Sequence, residues 1–160
     1  MTGKGLHPST IAAQALGWAD ATTGAVVLPV HVATTFLRDR DNRYRRGRSD
    51  GRADNPSYDQ PQALLTALEG GADSLLFSSG MAAAAAVFQC LPREAHVVAP
   101  RVMYWGLRSW LRTFAEGWGI EATFCDMTSL DALRAAMRPG RTRLVWIETP
   151  ANPLWSVTDI

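Results

Sequence analysis

The stretch Leu75-Leu76-Phe77-Ser78-Ser79-Gly80-Met81-Ala82-Ala83 joins an apolar run to a strongly helix-forming alanine run through two serines and a glycine. Ser74 to Phe77 reads as a strand and Met81 to Gln89 as a helix, so the turn between them offers free backbone N–H groups and the positive end of a helix dipole. Gly80 permits close approach, and the serines add hydroxyl donors. The turn is therefore either an ordinary capped helix start or a cradle for an anion. There is no Gly-Lys-Ser/Thr for a nucleoside triphosphate and no Gly-x-Gly-x-x-Gly for a dinucleotide, so a phosphate held here belongs to a different ligand.

Downstream of this turn, short apolar runs alternate with helical stretches. His96 to Ala99, Ala122 to Cys125 and Arg143 to Ile147 read as strands. Gly106 to Glu116 reads as a helix, as does Leu130 to Met137, opened by Thr128 or Ser129. Such alternation implies crossover units on a mostly parallel sheet with helices on both faces, an α/β layer. Strands counted from Ser74 onward number four, and the open edge reads as a sheet interrupted before completion.

Upstream, Gln62 to Glu69 reads as a helix stopped by Gly70-Gly71, after a turn at Asn55-Pro56-Ser57. Asp39 to Asn55 is rich in Arg, Asp, Gly and Ser and reads as an exposed loop. Before it come a short helical pattern, Ile11 to Leu16 ended by Gly17, and an extended run, Ala25 to Val30, in which Pro29 argues against a central strand. Residues 1–58 thus read as an arm and interface loop, and 59–160 as the first part of an α/β domain.

The composition, 160 residues of which 47% are hydrophobic with a net charge of +1, suits one globular unit with no overall pull toward nucleic acid or anionic membrane. The start has no signal-peptide core, and the apolar stretch around Met81 to Phe88 is too short to span a bilayer, so a soluble cytoplasmic protein is expected. Cys90 and Cys125 lack the close spacing of a zinc site and read as buried free thiols. Lys4 is the only lysine and lies in a Gly-flanked tail expected to be mobile, so chemistry that needs a buried lysine falls outside these residues.

Three further features bear on function. Tyr104, after the second strand, is either a core aromatic beside Trp105 or a ring placed to face a ligand. Asn152 lies in the Pro-bounded turn Glu148 to Pro153 at the carboxyl end of a strand, where ligands sit in open α/β sheets, though Asn before Pro is also ordinary turn chemistry. Seven arginines, from Arg38 to Arg52, are interrupted by Asp39, Asp41, Asp50 and Asp54 and have one stacking partner, Tyr44, so they read as a solvated loop rather than a nucleic-acid patch.

In order along the chain, Thr23-Gly24-Ala25-Val26-Val27, Asp54-Asn55-Pro56-Ser57, Ala67-Leu68-Glu69-Gly70-Gly71, Phe77 to Ala83 and Val145 to Leu154 resemble the fold-type I pyridoxal-phosphate enzymes of cysteine and methionine metabolism. That group includes cystathionine gamma-synthase, cystathionine beta- and gamma-lyases and methionine gamma-lyase. The resemblance implies an incomplete large domain of that fold and pyridoxal 5'-phosphate as cofactor. It implies that Ser79, Gly80 and Met81 bind the cofactor phosphate, that Tyr104 stacks on the pyridine ring and assists proton transfer, and that Asn152 lies near the cofactor hydroxyl and the substrate carboxylate. It assigns Arg52 to the phosphate of a neighbouring subunit, a role suited to a bidentate guanidinium. The tyrosine expected two residues earlier is Asp50, whose charge would repel a phosphate by about 1 kcal/mol or more where water is excluded. Tyr44-Arg45-Arg46 offers another Tyr-x-Arg at a displaced position.

The aspartate that pairs with the pyridine nitrogen and the Schiff-base lysine of the family have no counterpart here. The expectation is thus a truncated or split transsulfuration enzyme, inactive alone, that holds the cofactor noncovalently. Intact, it would act on amino-acid substrates as a homo-oligomer or with a complementing C-terminal chain. The alternative is a noncatalytic remnant or partner subunit that binds a full-length relative.

Overall fold

The computed structural model describes residues 5–160, in a first compact unit that closes at Leu76 and a second, Phe77–Ile160. Lys4 lies outside the described residues.

The second unit is built on three parallel strands: β1 (His96–Pro100), β2 (Glu121–Cys125) and β3 (Thr142–Val145), in the order β2-β1-β3. All five residues of β1 are buried, as its central place requires. Its side chains alternate between two apolar clusters. On one face Val97 and Ala99 meet α3 (Gly80–Gln89) and α4 (Trp105–Trp118) through Ala84, Phe88, Leu107, Leu111 and Ala115. On the other, Val98 meets Cys125, Met127 and Val145, with Leu133 and Ala136 of α5 (Leu130–Ala136) packed against them. His96, also buried, ties the three strands together: Nδ1 lies 2.8 Å from Thr142 Oγ1 and Nε2 2.8 Å from Thr123 Oγ1. Burial lowers its pKa below the usual histidine value, with the charge of Arg138 acting in the same direction.

Local signals set the helix ends. Ser79 caps α3 by accepting the Ala82 amide at 3.1 Å, and Ser129 caps α5 by accepting that of Ala132 at 3.2 Å. Gly119, at φ 75°, ends α4 in the left-handed conformation that glycine adopts without cost. Phe88, Trp110, Phe114 and Trp118 follow one another at centroid distances of 5.9, 4.5 and 5.3 Å, from the buried Phe88 out to the exposed Trp118.

Two expectations in this unit are corrected. Ser74 to Phe77 forms no strand; Leu75, Leu76 and Phe77 are exposed, and no partner strand among the described residues takes up their backbone groups. The sheet therefore has three strands rather than four. Cys90 is exposed, because it falls at the C-cap of α3, where the chain turns away from the core; Cys125 is buried, which raises its thiol pKa.

In the first unit, α1 (Pro8–Gln14) continues into a 3-10 turn at Ala15–Gly17, and α2 runs from Pro56 to Glu69. α2 starts more than a turn earlier than the sequence pattern implied. Asn55-Pro56 is a helix start, with the Asn55 side chain accepting the Ser57 amide at 2.9 Å and Pro56 at the first helical position. Asn55 Nδ2 also donates to His31 O at 3.0 Å, and the His31 amide donates to Ser57 Oγ at 2.7 Å, which pins the extended segment to the head of α2. Val26, Val27, Val30 and Val32 on that segment are exposed.

Candidate functional site

The first turn of α3 leaves donors free in a defined way. The Ala83 amide bonds to Ser79 O and the Ala82 amide to Ser79 Oγ, so the Gly80 and Met81 amides are the two with no intrahelical acceptor. A Cβ built on Gly80 would have no heavy atom within 4 Å, so the space over the turn is open. Met81 anchors the turn by packing against the apolar cluster that contains Met103, the residue before Tyr104.

Tyr104 is the N-cap of α4 and is 50% exposed, so its ring is not a core aromatic. Its amide donates to both carboxylate oxygens of Glu148, at 2.9 and 3.1 Å. The Asn152 amide donates to Glu148 Oε1 at 3.4 Å. One carboxylate from the end of the β3 segment thus brings together the two candidate residues that follow β1 and β3, both beyond the carboxyl ends of parallel strands. The Tyr104 ring lies over Gly106: a Cβ on that glycine would sit 2.8 Å from Cε1, 3.0 Å from Cζ and 3.1 Å from the hydroxyl. Glu148 and Gly106 were not among the residues expected at the site. Glu148 belongs to the quoted turn 148–153, but an acid in a polar turn carries no local sign of a partner 44 residues away.

At the same edge of the sheet is a cavity of about 240 Å³ whose lining includes Arg101, Cys125, Asp126, Thr128, Glu148 and Thr158. The Thr128 hydroxyl and amide both donate to Asp126 Oδ1, at 2.7 and 2.9 Å, and hold that carboxyl below the usual carboxylate range.

Arg52 belongs to the first unit, where its side chain is exposed and in no ion pair among the described residues. Asp50 accepts the Arg52 amide at 2.8 Å and so uses its charge within its own loop. The Tyr44 ring lies under the Arg38 guanidinium, 5.1 Å from its carbon, and its hydroxyl accepts from Arg38 Nε at 2.7 Å. Arg45 pairs with Asp41, and Arg48 with Asp54 and Asp59, so part of the positive charge of this segment is engaged within the first unit. Among the described residues, no helix is long and apolar enough to cross a membrane.

A family profile for the Cys/Met metabolism PLP-dependent enzymes matches residues 9–160. The chain is 39% identical over 154 residues to cystathionine gamma-synthase of Mycobacterium tuberculosis, covering 96% of this chain and 39% of that one. It is 36% identical over 141 residues to cystathionine gamma-lyase of Bacillus subtilis, covering 88% and 37%. Among solved structures, that of metB from Corynebacterium glutamicum matches with a TM-score of 0.90 at 32% identity, covering 99% of this chain and 41% of that one. A cystathione gamma lyase, CalE6, from Micromonospora echinospora matches at 0.84 and 34%, covering 97% and 40%. The chain therefore spans about two fifths of the length of these relatives. With the profile running through both the α3 turn and the Glu148 to Pro153 turn, the chain belongs to the family of pyridoxal-phosphate-dependent enzymes of cysteine and methionine metabolism.

Proposed function

We propose that these residues form the phosphate-binding and ring-facing wall of a pyridoxal 5'-phosphate site in a transsulfuration enzyme of the cystathionine synthase or carbon–sulfur lyase type. The observation that carries this reading is the α3 turn, with two free amides, a serine hydroxyl and open space on a family motif. These groups fit a phosphate dianion: the Gly80 and Met81 amides and the Ser79 hydroxyl donate to it at the positive end of a ten-residue helix. The half-exposed Tyr104 ring suits the flat face of a pyridine, and its hydroxyl is available for proton transfer. Asn152, exposed in its turn, supplies amide donors and an acceptor for the cofactor hydroxyl and a substrate carboxylate. Pyridoxal phosphate, when bound, supplies the electron sink for chemistry at an amino acid's carbons. Arg52 belongs to the same proposal as a donor to the phosphate of a second subunit, as do the division at about residue 58 and the oligomeric assembly. So does noncovalent binding, since Lys4 is the only lysine.

A titration of the protein with pyridoxal 5'-phosphate and with pyridoxal, followed by absorption and by borohydride treatment, tests the reading. Binding that depends on the phosphate and leaves no borohydride-trapped adduct on Lys4 is the expected result; equal binding of the two, or a trapped Lys4 adduct, overturns it. A second reading, a noncatalytic partner subunit, draws on the exposed valines of the extended segment. Co-elution with a full-length relative, without any gain in that relative's activity, would favour it.

A further inference from the structure

We propose that Glu148 is a positioning residue that sets Tyr104 and Asn152 as one rigid pair, so that the ring-facing group and the polar group of the site move together or not at all. The inference rests on the roles proposed above for those two residues.

Glu148 reaches its partners from three residues beyond β3 and is itself partly buried. Both of its oxygens are engaged by the Tyr104 amide, and Oε1 is shared with the Asn152 amide. A carboxylate that accepts from two backbone amides fixes the loops that carry them, which is the work of a structural acceptor. It also supplies what α4 lacks. That helix has no side-chain cap and no acid in its first turn, so its N-terminal dipole and N-cap amide have no partner on their own element. In a capping box, an acid three residues into the helix reaches back to the N-cap amide. Here an acid from the segment after β3 does so across the sheet edge, and in doing so links two loops that are otherwise separate in sequence. Gly106 completes the arrangement by leaving room for the Tyr104 ring over the first turn of α4. The charged groups that share the cavity with Glu148 are Arg101 and Asp126. Asp126 is held by Thr128, and no hydrogen bond among the described residues joins Arg101 to Glu148, so the two backbone amides are the carboxylate's partners.

Two measurements on the 160-residue chain test this. In the first, hydrogen exchange of the Tyr104 and Asn152 amides is followed by NMR in the wild type and in Glu148→Ala. Both amides should exchange faster in the variant while those of β1 are unchanged; protection kept at either amide, or lost across the sheet as well, overturns the inference. In the second, pyridoxal 5'-phosphate and inorganic phosphate affinities are compared in Glu148→Ala and Glu148→Gln. Loss of one charge-assisted interaction should weaken pyridoxal phosphate about tenfold in the alanine variant while leaving inorganic phosphate unchanged, since the α3 turn is not held by Glu148. Equal loss of both ligands would mean a general folding role and overturn the inference, as would no loss of either. If the wild-type chain binds no pyridoxal phosphate, the proposed function fails, while the amide exchange still decides the role of Glu148.

Discussion

Replacing Gly106 by alanine separates the placement of the Tyr104 ring from the stability of the fold. The added Cβ would fall 2.8 Å from Tyr104 Cε1 and 3.0 Å from Cζ. Carbon atoms at optimal contact are about 3.5–4.0 Å apart, so the ring edge at Cε1 must retreat by about 0.7–1.2 Å. The backbone of Gly106 is not in the left-handed region, so alanine brings no conformational strain. Within α4 the change should even stabilise the helix, by up to about 1 kcal/mol. An aromatic contact is worth about 0.5–1.5 kcal/mol beyond area, so displacing the ring should weaken pyridoxal 5'-phosphate about two- to tenfold. The assay is cofactor titration by fluorescence, paired with a thermal melt, in Gly106→Ala, Tyr104→Ala and the double variant. For Gly106→Ala the expected outcome is a melting temperature equal to or above wild type and weaker binding, with no further loss when it is added to Tyr104→Ala. Unchanged affinity in Gly106→Ala, or an equal added loss in the Tyr104→Ala background, would refute the assignment of the ring.

Three further outcomes are expected. His96 has a folded-state pKa below its usual 6.5, so the unfolded chain takes up the proton first. Its contribution is complete above about pH 6.5 and is lost as pH falls below that toward the folded value; urea midpoints should therefore decline from pH 7 to 5, and Asn at position 96 should flatten that part of the curve. Ser79→Ala removes the cap of α3 and should cost about 1 kcal/mol in chemical denaturation as well as weakening phosphate binding, whereas Ser79→Asp should keep the cap but repel phosphate. Under native conditions Cys90 should react with a thiol reagent at one equivalent while Cys125 is protected; two fast equivalents would contradict the packing of β2.

What could be read from the residues alone follows from the range of the forces involved. The ends of α3, α4 and α5 came within a residue or two because capping serines and a closing glycine act over three or four positions. Asn55-Pro56 reads as a turn in the sequence although it opens α2, because the same pair begins turns and helices and only the Ser57 amide on Asn55 decides between them. Ser74 to Phe77 has a strand's composition, but a strand exists only with a partner, which local sequence does not encode. Cys90 was misplaced because its neighbours Phe88 and Leu91 are buried or partly so, while it sits one residue past the helix. Of the residues proposed for the site, Ser79, Gly80 and Met81 are picked out by the turn itself, Asn152 by a family motif and Tyr104 by the wider resemblance. Glu148 is not, because its partners are backbone amides that carry no residue identity.

The place of β1 between β2 and β3 also has a consequence in time. Each neighbour of β1 must return from a distance along the chain, and His96 records both returns: its partners are 27 residues away at Thr123 and 46 away at Thr142. Closing the longer loop from an open chain costs only about 0.5 kcal/mol more than closing the shorter, but once β2 is docked on β1, β3 joins a surface already half formed. The order β1, β2, β3 is also the order of synthesis, so the His96–Thr123 half of the staple has both of its residues on the chain before Thr142 is added.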